Sequence, residues 1–221
     1  MNIFCQIWEL LFPRKCIFCR KLLSKEETDL CHTCRATAPE FTKSKRRILF
    51  VAQWTAIWYY KGDIRSSIHR FKFHNYRIYG EIYAKHLALK LQDSEIPDNV
   101  DLLTWLPTSP SRRLKRGYDQ SEILAKSLGK ELHIPVIKAL RRVRNSPPQS
   151  ALQTADQRRA NILNAYKPYK PSDFAGRRIL LIDDIITTGS TASEAAKTLL
   201  VGGAKEVYLA AIAAASHDKN K

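Results

Sequence analysis

The chain has 221 residues, a formal charge of +16 and 44% apolar residues. That is enough for one medium domain with a small appendage and a proper core. It contains no apolar run long enough to span a membrane. So large a positive charge points to a polyanionic partner, either nucleic acid, an acidic membrane or a heavily phosphorylated substrate. A merely solvated basic surface is the plain alternative.

In chain order, "MNIFCQIWELLFP" lacks a basic leader and a small-residue cleavage site, so it does not read as a signal peptide. Ile3, Ile7, Leu10 and Leu11 fall on one face of an apolar helix. Residues 14–45 are short of aliphatics, rich in cysteine and charge, and end in "KSKRR". From Ile48 the pattern becomes that of an alternating α/β domain. This places the boundary between residues 1–45, a helix and a cysteine module, and residues 46–221. "ILFVAQWTAIWYY" predicts one or two strands, and apolar alternation favours buried roles over base stacking for Trp54, Trp58, Trp105, Tyr59 and Tyr60. Residues 64–91 carry helical spacing with a break near "FHNYR". "NVDLLTWLP" predicts a short strand, residues 118–128 a helix, and "IPVIKAL" a second short strand. "RNSPPQS" predicts a mobile loop, with a short helix from about Thr154. "RRILLID" predicts a buried strand, residues 191–201 a helix ended by Gly202 and Gly203, and "EVYLAAIAA" a last strand. The tail "SHDKNK" is expected to fray. Strands alternating with helices predict a mostly parallel sheet with flanking helices.

Cys16, Cys19, Cys31 and Cys34 stand as C-x2-C-x11-C-x2-C. Each knuckle supplies two soft ligands from one tight turn, as a tetrahedral zinc requires, and four thiolates close the shell of a structural site. Two disulfides are the rival, but with no secretion signal the chain is expected in a reducing, cytoplasmic setting. His32 is read as a surface residue and Cys5 as a buried thiol.

In "ILLIDDIITTGST" an apolar strand ends on Asp183 and Asp184, and a loop of small residues leads into a helix. Helix capping and a paired-carboxylate metal site are both compatible with the acids. The loop favours a sugar phosphate. Free N–H groups at a helix N-terminus, in a loop of small residues that includes Gly189 and Ser190, suit a phosphate, and the hydroxyls of Thr187, Thr188 and Thr191 can add donors. Two ionised carboxylates suit a vicinal diol.

This stretch closely resembles the phosphoribosyl diphosphate (PRPP) motif of type I phosphoribosyltransferases. The resemblance implies ribose on Asp183 and Asp184 and the 5-phosphate on Thr187, Thr188, Gly189, Ser190 and Thr191. It also implies a ligand at the carboxyl ends of parallel strands. A four-cysteine module ahead of such a domain resembles the ComF family of competence proteins. Three further stretches are similar to that family's motifs: "YKGDIRSSIHRFKFHN", "LPTSPSRRLKRGYDQSEILA" and "RNSPPQSALQTADQRRANILNAY". Two departures stand out. Asp119 replaces the family's usual Asn, and His74 and Asn75 replace a glycine-containing turn.

The resemblance implies Mg²⁺ bound with PRPP, a role in DNA uptake and natural transformation, and a competence helicase as one partner. Single-stranded DNA is the polyanion expected on the basic surface. A departing diphosphate needs cations. Lys72 and the "PSRRLKR" loop, with Arg112, Arg113, Lys115 and Arg116, are the candidates, together with Arg144 and Arg158 beside the predicted mobile loop. No residue pattern identifies a general base or an acceptor pocket. A metabolic phosphoribosyltransferase, or a nucleic-acid-binding protein on a degenerate enzyme fold, are the alternative readings.

Overall fold

The computed structural model describes residues 13–42, 46–94, 96, 100–143 and 164–216. The N-terminal apolar stretch, Cys5, the "KSK" of the basic run, Arg144, Arg158, the helix expected from about Thr154 and the last residues of the tail lie outside them.

Four parallel strands form the main sheet in the order β1 (Trp54–Tyr59), β6 (Glu206–Ala214), β5 (Arg178–Ile186), β2 (Leu102–Trp105). The central pair, β5 and β6, is covered on both faces, so each reads as a continuous apolar run rather than an alternating one. Alternation still sorts the side chains. Leu180, Ile182, Tyr208 and Ala210 join the core on one face, Ile179, Leu181, Val207 and Leu209 that on the other.

The first face carries α2 (Gly62–Phe73), α3 (Ile78–Gln92) and α5 (Gln120–Leu132). The predicted break between α2 and α3 is real. Asn75 turns the chain with φ +57°, a left-handed conformation that Asn tolerates better than most side chains and that a glycine would also supply. The second face carries α6 (Ser190–Val201) and a small antiparallel pair, β3 (Leu140–Arg142) with β4 (Tyr166–Pro168). Among the described residues no helix is long and apolar enough to cross a membrane.

Two predicted elements differ. "PSRRLKR" is a helix, α4 (Pro110–Arg116), with Pro110 in its first turn, where a missing N–H costs nothing. "IPVIKAL" does not add a full strand. It makes a single parallel bridge, Leu103 to Val136, because Pro135 has no N–H to continue a ladder. The regular pairing begins only at Leu140.

The cysteine module packs directly on the first face. Ile17, Phe18 and Leu30 share one core with Trp58, Tyr79 and Tyr83, and the Phe18 ring meets Trp58 edge-on at 5.0 Å. Arg70 of α2 donates to the carbonyls of Ile17 and Phe18, both at 2.7 Å. Arg20 reaches the hydroxyls of Tyr79 of α3 and of Tyr76, just ahead of that helix, at 3.0 and 3.3 Å. After the second cysteine knuckle, Phe41 N–H donates to Ile57 C=O and Tyr59 N–H to Pro39 C=O, so residues 39–41 of the module cover the open edge of β1. Trp58 and Trp105 are buried and unavailable for stacking on bases.

Candidate functional site

At the carboxyl ends of the parallel strands lies a cavity of about 440 Å³. Its floor is Asp183 and Asp184 at the end of β5. Sheet register sets them there, because β2 ends opposite Ile182, one residue short of Asp183, while β6 presents the small Ala211 beside it.

Lys72, in the last turn of α2, forms an ion pair with Asp184, Nζ to Oδ2 2.8 Å, with 19% and 15% of the two side chains exposed. Asp183 accepts the Asp184 N–H at 2.8 Å, and the Ser121 hydroxyl stands 3.5 Å from the same oxygen. Asp183 keeps some surface on the cavity, but atoms crowd its carboxyl. This burial, and then the Asp184 charge, raises Asp183 well above the usual carboxylate range, against the pull of Lys72. Two crowded acids of this kind favour a partner that brings hydroxyl donors or positive charge.

The loop after β5 turns on Gly189 at φ +79° and opens α6. Thr187, Gly189 and Thr191 line the cavity, whereas the hydroxyls of Thr188 and Ser190 bond each other at 3.0 Å behind it. The helical ladder starts with Ser193 N–H to Gly189 C=O. Amides ahead of it have no intrahelical acceptor and form the anion-suited end of the helix.

Facing the acids is a cluster of arginines. Arg112 and Arg116 lie one turn apart on α4 and both enter the cavity. Arg116 donates to Gln120 Oε1 at 2.7 Å and lies 4.5 Å from the centre of the Phe73 ring. Arg142, at the end of β3, donates to the Tyr166 hydroxyl at 3.2 Å. Burial first, then the charges of Arg142 and Arg116, lowers the proton affinity of Arg112. Three half-buried guanidinium groups that share one cavity suit a polyanion set between them.

Of the predicted cations, Lys72, Arg112 and Arg116 therefore meet in the cavity. Arg113 turns away to Glu122 at 3.4 Å, and Lys115 is exposed outside the cavity. Sequence reasoning missed Tyr60, Arg65, Thr108, Arg142 and Tyr166, which also line it. Arg142 and Tyr166 arrive together only through the β3–β4 pairing, which anchors both ends of the intervening segment at the cavity.

Asp119, the departure noted above, is 4% exposed. It caps α5 by accepting the Ser121 N–H at 3.2 Å, and it accepts the Thr108 N–H at 2.8 Å. Its buried carboxyl is pushed up to about 6, against the pull of these amides. The ionised form therefore costs stability, a cost absent below about pH 4 and complete above about pH 6. Asp119→Asn removes the cost. Its stability relative to the parent should rise by roughly 2–3 kcal/mol between pH 4 and pH 7. Urea unfolding at the two pH values measures this, and a difference independent of pH would contradict the ionised burial.

The four predicted metal ligands come together in the module, all four sulfurs lying within 4.8 Å of one another. Cys19 Sγ and Cys31 Sγ are 3.6 Å apart, close to the ~3.8 Å edge of a tetrahedron with zinc–sulfur bonds of about 2.3 Å. Neither knuckle is a disulfide. Cys31 caps α1 (His32–Thr37) and its sulfur accepts the Cys34 N–H at 3.5 Å. The set fits a closed, structural zinc site.

Comparison with known families agrees with both halves. Residues 7–45 match the double zinc ribbon domain, and residues 114–221 match the phosphoribosyl transferase domain. The chain is 29% identical over 226 residues to Competence protein F of Haemophilus influenzae, covering 92% of this chain and 98% of that one. It is 31% identical over 157 residues to DNA utilization protein YhgH of Escherichia coli O157:H7, covering 68% and 66%. It is 26% identical over 210 residues to Competence protein ComFC of Bacillus subtilis, covering 89% and 84%. A parallel sheet with flanking helices, a four-cysteine ribbon docked on it, and relatives matched along nearly the whole chain place this protein in the ComF family of zinc-ribbon proteins with a phosphoribosyltransferase-type domain.

Proposed function

We propose that the cavity binds PRPP or a closely similar phosphoribosyl ligand, and that this binding serves DNA uptake in the cytoplasm. The observation that carries the reading is the convergence of three chemistries on one cavity: an acid pair, a phosphate-suited loop and an arginine cluster. They match a diol, a 5-phosphate and a diphosphate in turn. Asp183 and Asp184 take the ribose hydroxyls, the Thr187–Thr191 loop the 5-phosphate, and Arg112, Arg116 and Arg142 the diphosphate. Lys72, paired with Asp184 in this structure, is exchanged onto the ligand when the diol takes its place. Mg²⁺ bound with the ligand would supply positive charge to the diphosphate oxygens, with Asp183 and Asp184 among the carboxylates that line the cavity.

The names of the relatives support the DNA role, and so does the charge of +16. Single-stranded DNA is the polyanion assigned to the basic surface, which includes the outward residues Arg113 and Lys115 of α4. A competence helicase is the expected protein partner. In a naturally transformable host, replacing the chromosomal copy by an Asp183→Asn/Asp184→Asn allele should lower transformation at least tenfold at unchanged protein level. Normal transformation with that allele would overturn the link between ligand and uptake. Normal transformation in a clean deletion would overturn the role in uptake itself.

A further inference from the structure

The phosphate-suited loop is gripped from behind by residues that belong to neither the acid pair nor the arginine cluster. The Arg46 guanidinium Nη1 donates to the backbone carbonyl of Thr187. Arg46 is itself fixed, its guanidinium lying 5.0 Å from the centre of the Trp54 ring. The Trp54 indole N–H donates to the Arg46 carbonyl at 2.9 Å. Two residues on, Ile48 is 5% exposed and packs against Gly189, where an added Cβ would stand 2.9 Å from its Cγ1. Thr187 and Gly189 line the cavity, whereas Arg46 and Ile48 do not, so residues 46–48 lie across the back of the loop.

We infer that Arg46 is a positioning residue for the 5-phosphate, setting the orientation of the peptide unit that joins Thr187 to Thr188. That unit is planar and trans, so its C=O and N–H point in opposite directions. Holding the oxygen on the guanidinium behind the loop removes a partial negative charge from the place a phosphate would take. The Thr188 N–H of the same unit then points away from Arg46, which does not line the cavity, whereas Thr187 and Gly189 on either side of it do. The loop pivots on Gly189 at positive φ, a backbone conformation from which a peptide unit can reorient. A flipped peptide would present a carbonyl oxygen to the anion and withdraw a donor. Ile48 limits the same motion by filling the space under Gly189. The effect on an oxyanion site is that of losing a preorganised donor.

This rests on the PRPP reading, and the test separates the two. Calorimetry with ribose 5-phosphate probes the loop, and calorimetry with inorganic pyrophosphate and Mg²⁺ probes the arginine cluster. Arg46→Ala should weaken ribose 5-phosphate about ten- to a hundredfold while pyrophosphate changes less than about twofold. Arg46→Lys, which keeps a donor, should recover part of the loss. Trp54→Phe removes the indole donor that holds the Arg46 backbone but keeps an aromatic face. It should give a smaller loss of the same kind, and it provides the test if Arg46→Ala does not fold. Equal weakening of both probes, or unchanged ribose 5-phosphate binding in folded variants, would overturn the positioning role. Failure of the parent protein to bind either probe would overturn the PRPP reading on which it stands.

Discussion

Arg112→Ala is expected to weaken pyrophosphate binding by about ten- to a hundredfold, the size of one or two lost charge-assisted hydrogen bonds. Arg112 is half-buried in the cavity, near the charges of Arg142, Arg116 and Asp184. Arg113→Ala is the control. Its side chain is 55% exposed, pairs with Glu122 at 3.4 Å and lies outside the cavity. An exposed pair of that kind contributes ~0–1 kcal/mol, so pyrophosphate binding should change less than about twofold. Titration of both variants with pyrophosphate and Mg²⁺ decides between a built site and a diffuse basic surface. Equal losses in the two would show that net charge, not the cluster, holds the anion.

Removal of the metal should unfold more than the ribbon. A structural zinc in a small module contributes on the order of 10 kcal/mol of apparent binding free energy, and that energy is also folding energy. Here Ile17, Phe18 and Leu30 complete the same core as Trp58, Tyr79 and Tyr83, and Arg70 and Arg20 tie the knuckle to α2 and α3. Loss of the module would expose that core and uncover the edge of β1. A chelator, or Cys16→Ser, should therefore release one zinc per chain and lower Tm by roughly 10 °C or more. A red-shifted tryptophan emission should accompany it as Trp58 loses Phe18. Release of zinc with Tm unchanged would show that the ribbon is an independent unit.

What could be read in the chain beforehand was what lies close together along it. The acid pair, the Thr/Gly loop and the helix behind it are contiguous, so their chemistry appears in a single stretch, and the structure assembles them as one strand end. The cysteine knuckles are equally local. The helix break at residues 74–77 was visible because two polar residues interrupt an apolar period.

Features built by distant pairing were not legible. Arg142 and Tyr166 stand 24 residues apart and meet only because β3 and β4 pair. Arg46 precedes Thr187 by 141 residues, and nothing in "KSKRR" distinguishes it from its basic neighbours. The misreading of "PSRRLKR" has a local cause. Ser-Pro resembles a loop signal, yet the same pair opens a helix when proline takes its first turn. That error mattered for the site. A helix sorts its basic residues by face, sending Arg112 and Arg116 inward and leaving Arg113 and Lys115 out, whereas a loop would have made all four equivalent.

The central claim is that one cavity holds ribose on its acids and diphosphate on its arginines. Calorimetry of the folded protein with PRPP and Mg²⁺, repeated on Asp183→Asn/Asp184→Asn, tests it most directly. The prediction is one site per chain, with affinity lost by about a hundredfold or more in the double variant and an unchanged circular dichroism spectrum. Absence of binding to the parent protein, or equal affinity in the two proteins, would contradict it.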